Sequence, residues 1–290
     1  MRSRSLTRRV AAVGAAVAVA ALGVTSAAGA APHHPKGEFA QFGDCPLNRA
    51  TITDCIYSVT SSGTFTLGKK AVPIKNPVTL QGGFEGAGSE IKFFGAEDGN
   101  TLSKTPQPVP GGLTGITAPK SWPGFLQTLF NEDIINKGLT GVNATLELAA
   151  PATSIKLDTE NLLFEEGVAL QLPVKVHLEN AFLGSNCYIG SSSSPLIVPL
   201  TTGTSGKLKG TAGEFSANEE FTLLTFSGGK LVNNTFTAPG ATGCGGFLIE
   251  YLVDPLVNSI VGVPAGAGVN SAILEGKIQD AASSAVRASE

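Results

Sequence analysis

Short apolar–polar alternations, broken about every ten residues by Gly, Pro, Asn or Ser, run through this chain from Cys45 to its end. In Val174-Lys-Val-His-Leu-Glu179 the alternation puts Val174, Val176 and Leu178 on one face and Lys175, His177 and Glu179 on the other, since successive strand side chains point to opposite sides. Residues 63–67, 144–148, 154–157 and 168–172 alternate in the same way. Residues 77–81, 89–94, 194–200, 206–213, 220–226, 232–236 and 272–278 read as further strands, with Gly82-Gly83 and Glu97-Asp-Gly-Asn100 as turn signals. This spacing predicts a mainly β fold, an antiparallel β-sandwich or barrel with one or two short helices. Residues 122–136 are the helical candidate of the first half, ending at Lys137-Gly138. Asp254-Pro255 reads as the cap and first residue of a helix reaching Ile260. No fixed-period repeat marks a solenoid.

The first 30 residues divide as a secretory signal divides: a basic start with Arg2, Arg4, Arg8 and Arg9, an apolar run over 10–24, and Ala28-Gly-Ala30. The run falls short of the ~20 residues that cross a bilayer as a helix, so cleavage after Ala30 is expected. Arg8-Arg9 leaves both the general and the twin-arginine export routes open. No cysteine near the cut offers a lipid anchor, and no later segment reads as a membrane span. The expected location is extracellular, free or loosely associated with the cell wall. Residues 31–44, with two prolines and His33-His34, read as a flexible lead-in. Residues 45–290 read as a single β-rich domain, with the Pro- and Gly-rich stretch 105–123 as its candidate internal boundary.

An exported chain meets oxidising conditions, and this one carries four cysteines: Cys45, Cys55, Cys187 and Cys244. Three pairings are open. Cys45–Cys55 and Cys187–Cys244 are expected, because each pair sits within one locally coherent segment. A zinc site is the rival reading, but no C-x-x-C occurs. Removing the four arginines of the signal from the 20 basic residues leaves 16 against 23 acidic, a net charge of −7. A phosphate backbone has nothing to attract there, so nucleic acid is excluded as a partner. An envelope or extracellular partner is expected instead.

Several segments carry a resemblance: Pro77-Val-Thr-Leu-Gln-Gly-Gly83, Val109-Pro-Gly-Gly-Leu-Thr-Gly115, Leu172-Pro-Val-Lys-Val-His-Leu-Glu-Asn180, Cys187-Tyr-Ile-Gly-Ser-Ser192, Leu200-Thr-Thr-Gly203 and Ala238-Pro-Gly-Ala-Thr-Gly-Cys244. Over most of the exported chain they resemble a set of uncharacterised exported proteins of actinobacteria. The resemblance implies secretion and supports the Cys187–Cys244 pairing. It implies no activity, cofactor or catalytic residue.

Each candidate for chemistry has a plainer reading. Gly63-Thr-Phe-Thr-Leu-Gly-Lys-Lys70 has phosphate-loop spacing until Lys70 stands where Ser or Thr would bind Mg²⁺, and the segment alternates like a strand. His177 is the one histidine inside a strand; with no Gly-x-Ser-x-Gly elbow it reads as a solvent-facing residue rather than a catalytic base. The adjacent carboxylates Glu97-Asp98, Glu132-Asp133, Glu165-Glu166 and Glu219-Glu220 read as solvated turn residues, since neighbours on a strand face opposite ways. His33-His34 would bind Cu²⁺ or Ni²⁺ only after a cut that leaves Pro32 first, because a cut after Ala30 puts Pro32 at the position whose N–H is needed. Residues 191–213, rich in Ser, Thr and Gly, read as strand connections or an exposed binding rim.

The sequence thus points to a secreted, disulfide-stabilised β protein with a non-enzymatic structural or binding role at or beyond the envelope, and assigns no cofactor, metal or catalytic residue. Two alternatives stand beside it. One is a secreted polysaccharide hydrolase using carboxylates that converge in space. The other is an apolar-ligand carrier or oligomeric pore, prompted by a mean hydropathy of +0.18.

Overall fold

The computed structural model describes residues 33–136 and 140–290. The signal segment, its cleavage point at Ala30 and the expected helix end at Lys137-Gly138 lie outside the described residues. The first strands are β1 Asp54–Leu67, β2 Lys70–Pro73, β3 Val78–Glu85 and β4 Lys92–Gly95. β5 Gln107–Pro108, β6 Asn143–Leu148, β7 Lys156–Leu157, β8 Leu170–Glu179, β9 Tyr188–Ile189 and β10 Leu196–Leu200 follow. The last are β11 Thr204–Ser205, β12 Leu208–Lys209, β13 Glu214–Ala217, β14 Leu223–Asn233, β15 Ala241–Thr242 and β16 Ser271–Ala282. Helices α1 Gly124–Thr128, α2 Thr159–Phe164, α3 Glu250–Val261 and α4 Ser283–Ala288 lie between or after them.

The protein is mainly β and antiparallel. One sheet runs β13-β14-β16-β1-β3-β4, with β2 folded back onto β1. The other runs β15-β9-β8-β6-β5, with β10 and β7 also on β8. The sheets face each other as a sandwich, and Thr201 and Val232 exchange backbone hydrogen bonds at 3.0 and 2.8 Å to stitch them along one edge. Val174, Val176 and Leu178 face the shared core while Lys175, His177 and Glu179 lie on the outer face, as the alternation requires.

Two bulges keep the apolar residues of the first sheet pointing inward. Ser61 has no partner opposite β16, so the inward set on β1 changes from Ser58 and Thr60 to Phe65 and Leu67. Gly228 does the same on β14: Phe226 stands opposite Ile278, which packs on the main core, and beyond the bulge Leu231 points inward. Both bulges flank Gly276 of β16. A Cβ on Gly276 would lie 1.9 Å from the Val59 carbonyl oxygen, so only glycine lets β1 pass this closely.

A second, smaller core covers the outer face of the first sheet. Phe42, Leu47, Ile52, Val286 and the Cys45–Cys55 disulfide pack there on Leu223 and Ala281. The segment expected as a flexible lead-in is therefore packed from Gly37 onward, where Gly37–Phe42 forms a short 3₁₀ helix with Phe42 buried. The Lys36 N–H donates to the Ser289 carbonyl at 3.1 Å, joining the two ends of the described chain.

Helix α3 begins at Glu250, earlier than the expected cap at Asp254, and holds Pro255 in its interior. The Asp254 carboxylate is engaged elsewhere, accepting from the backbone N–H of Cys244 at 2.8 Å and Gly243 at 3.3 Å. That places α3 against the Cys187–Cys244 disulfide. The helix expected over 122–136 is α1 followed by π-helical turns over Leu129–Asn136, with the Trp122 ring edge-on to Phe130.

Candidate ligand cavity

Apolar side chains drawn inward from both sheets usually meet and fill the space between them. Here they leave a cavity of about 130 Å³. That is close to the ~150 Å³ of an engineered apolar cavity that stays dry and binds benzene. Leu170, Leu172, Val174, Val176 and Leu178 of β8 all line it. The cavity is a slot along these five residues, which are separated by eight residue steps, about 26 Å of strand at ~3.3 Å per step. Phe65, Leu67 and Leu274 form the opposite wall.

The slot has two unlike ends. Near Leu170 it is closed by Leu200 and Leu231, buried residues of β10 and β14. At the Leu178 end the wall is the β1–β2 hairpin, the 109–113 loop and the last turns of α3, through Val257, Ile260 and Val261. The hairpin is fixed to that helix where the Lys69 N–H donates to the Val261 carbonyl at 2.7 Å. The outer face of α3 and the residues before it are apolar too: Phe247, Leu248, Tyr251, Leu252 and Leu256 are exposed.

Five polar side chains touch the slot: Ser58, Thr60, Lys70, Thr105 and Gln107. Gln107 is engaged in holding the chain. Its Oε1 accepts from the backbone N–H of Lys75 and Asn76 at 2.9 and 3.0 Å, and its amide nitrogen donates to the Asn76 carbonyl at 2.7 Å. The Thr105 hydroxyl pairs with Ser103 at 2.9 Å. Lys70 stands opposite Leu67 in the hairpin, so both side chains leave the same face, the one lining the slot. Its Nζ has no hydrogen bond or ion pair among the described residues, and burial pushes its pKa down.

No protein family, curated protein or solved structure matches this chain.

His177 lies away from the slot, on the outer face of the second sheet. Its ring stacks on Tyr188 with centroids 4.5 Å apart, and a ring nitrogen lies 3.1 Å from the Ser185 carbonyl oxygen. Its Nδ1 stands 3.7 Å from Glu147 and 3.8 Å from Glu179. Both carboxylates have other partners: Lys175 lies 3.3 Å from Glu147, and the Thr145 hydroxyl donates to Glu179 at 3.0 Å. The Lys175 ammonium also sits over the Tyr188 ring at 4.0 Å. The group is a mutually satisfied patch of sheet surface, at which Ser185 contributes its backbone carbonyl.

The adjacent carboxylate pairs are scattered. Glu219 and Glu220 are exposed turn residues. Glu165 is tied to the Ala212 N–H and the Thr211 hydroxyl, both at 2.9 Å, and these bonds hold its carboxyl below its ordinary pKa. Glu132 pairs with Lys75. Glu97 departs from the solvated expectation: its side chain is 7% exposed, lies 3.5 Å from His33 and accepts from the Asn48 N–H. His33, half of the His33-His34 motif, thus faces Glu97 and Glu290.

One carboxylate that the sequence does not single out is deeply set, as Glu97 is. Asp280 of β16 has an Oδ1 closed off from solvent and without a hydrogen-bond partner. Burial, reinforced by the charge of Asp54, pushes its pKa up to about 7.

Proposed function

We propose that this protein is a non-enzymatic binding protein that holds one extended apolar chain in the slot between its sheets, outside the cell membrane. The observation that carries the reading is the slot itself: a space left between the sheets, walled by apolar residues from both, with five successive inward-facing residues of β8 along it. Burying such a chain is favourable by roughly 25 cal/mol per Å² of apolar surface removed from water.

The extracellular setting is supported by the two disulfides, which persist where thiols oxidise. It is also supported by the signal-like first 30 residues and by the resemblance to exported actinobacterial proteins. Among the described residues no helix is long and apolar enough to cross a membrane. Of the carboxylates that the hydrolase alternative would need to converge, Glu147 and Glu179 meet at His177 and are already paired with Lys175 and Thr145.

Titration with an uncharged apolar dye such as Nile red tests the proposal. The oxidised protein should bind it with one-to-one stoichiometry and a blue-shifted emission. Ala144→Leu, which adds bulk to a residue lining the slot, should weaken binding at least tenfold while the protein remains folded. Dye binding that is unchanged in this variant would reject the slot as the site.

A further inference from the structure

We infer that the natural ligand is an anionic amphiphile, a single-chain carboxylate whose head pairs with Lys70 while its tail runs toward Leu170, Leu200 and Leu231. The inference rests on the apolar-chain reading above and adds the chemistry of the ligand's polar end.

An ammonium is costly beside apolar surface unless something pairs with it. Lys70 is placed there by the hairpin register rather than by chance of rotamer, since it stands directly opposite the inward-facing Leu67 and two residues before the inward-facing Val72. A Cβ on Gly115 would lie 3.0 Å from Lys70 Nζ, so the 109–115 loop closes over the amine and glycine leaves it room. Among the described residues no carboxylate neutralises it. The other polar groups at that end, Gln107 and Thr105, are spent on the chain itself. Among the described residues Lys70 is therefore the one charged group lining the slot, and it stands with the β1–β2 hairpin at one end.

That asymmetry orients a ligand. An extended chain with a negative head at Lys70 leaves its tail along β8 toward the apolar end at Leu170, Leu200 and Leu231. An alcohol or ester of equal length would fill the same walls and could accept a hydrogen bond, but would leave the ammonium's charge unneutralised. A carboxylate supplies a charge-assisted hydrogen bond, the stronger kind, in a setting where water competes poorly.

The test is displacement of Nile red from the oxidised protein by dodecanoate, dodecanol and methyl dodecanoate at pH 7.5. Dodecanoate should displace the dye at a concentration at least tenfold below the other two. In Lys70→Met that advantage should shrink to less than threefold while dodecanol displacement stays unchanged; Lys70→Arg should keep it. A thermal melt confirms that each variant folds. Equal displacement by acid and alcohol in the unmodified protein would overturn the charged-head inference and leave the apolar-chain reading intact. So would an advantage that survives Lys70→Met. Failure of the dye and all three compounds to bind would overturn the apolar-chain reading, and the inference with it.

Discussion

Asp54 and Asp280 sit one pleat apart on the same face of neighbouring antiparallel strands, Asp54 opposite Ala282 and Asp280 opposite Ile56. Two carboxylates so placed, each partly withdrawn from water, resist ionising together. Both are raised from the ordinary Asp value by burial, and the charge of Asp54 adds to the effect on Asp280.

Stability should accordingly fall as pH rises. Asp280 holds its proton in the folded protein up to about pH 7, whereas unfolded Asp loses it near pH ~4. Between these values the folded state binds more protons, so its stabilisation is complete below the unfolded pKa and is lost as pH climbs through the folded one. The full effect is about 4 kcal/mol at most. Melting temperatures from pH 4 to 8 should decline for the unmodified protein and stay flatter for Asp280→Asn. Parallel pH profiles would show that Asp280 ionises freely in the fold.

Gly276→Ala should destabilise severely, by more than ~2 kcal/mol, because the added methyl group meets backbone at 1.9 Å rather than a movable side chain. Gly266→Ala, with nothing within 4 Å of the new Cβ, should change stability by less than ~0.5 kcal/mol. Urea denaturation of the two variants measures the contrast, and equal midpoints would refute the account of the paired bulges.

The disulfides should differ in weight. Cys187–Cys244 closes 57 residues and Cys45–Cys55 closes 10. On loop-entropy grounds the longer link contributes about 1.5 kcal/mol more. Replacing each pair by alanines and comparing denaturation midpoints checks this, and a larger loss for the Cys45–Cys55 pair would contradict it.

His177→Ala should leave apolar-ligand binding unchanged and cost about 1 kcal/mol of stability at most, through the lost stack on Tyr188. A drop in ligand affinity would tie the outer face of the sheet to the slot.

Much of the fold is legible where one alternation runs unbroken. Residues 174–179 declare both faces, and 272–278 lies within β16. Legibility ends where the period slips. β1 spans Asp54–Leu67, yet only 63–67 alternates recognisably, because the bulge at Ser61 reverses which residues face inward. The runs 220–226 and 232–236 read as two strands but contribute to the single strand β14, interrupted by Gly228. Pro173 likewise separates two alternations in the sequence, yet lies inside β8. It fits because its backbone polar groups face the side where β6 has ended: the Pro173 carbonyl accepts from the Ala149 N–H at 3.0 Å, and Pro173 pairs with Ile197 of β10 on the other side. The candidate site was harder to read. Its apolar walls are ordinary core residues in sequence, and what makes them a slot is a space that they leave unfilled. In the sequence Lys70 is only the wrong ending of a phosphate-loop pattern; its meaning comes from the hairpin that turns it inward.

Ala144→Leu should hold or raise the melting temperature, since filling a void gains packing worth ~0.5–2 kcal/mol, even as it weakens binding. A lowered melting temperature together with unchanged binding would mean that the space at Ala144 is not part of the ligand site.

The most direct measurement is a crystal structure of the oxidised protein with bromododecane, located by the anomalous signal of its bromine. The account predicts a bromine peak inside the sandwich, between the inner faces of β8 and β1, with chain density running along β8. A bromine bound on the exposed residues of α3, with the space between the sheets empty or occupied by water, would contradict it.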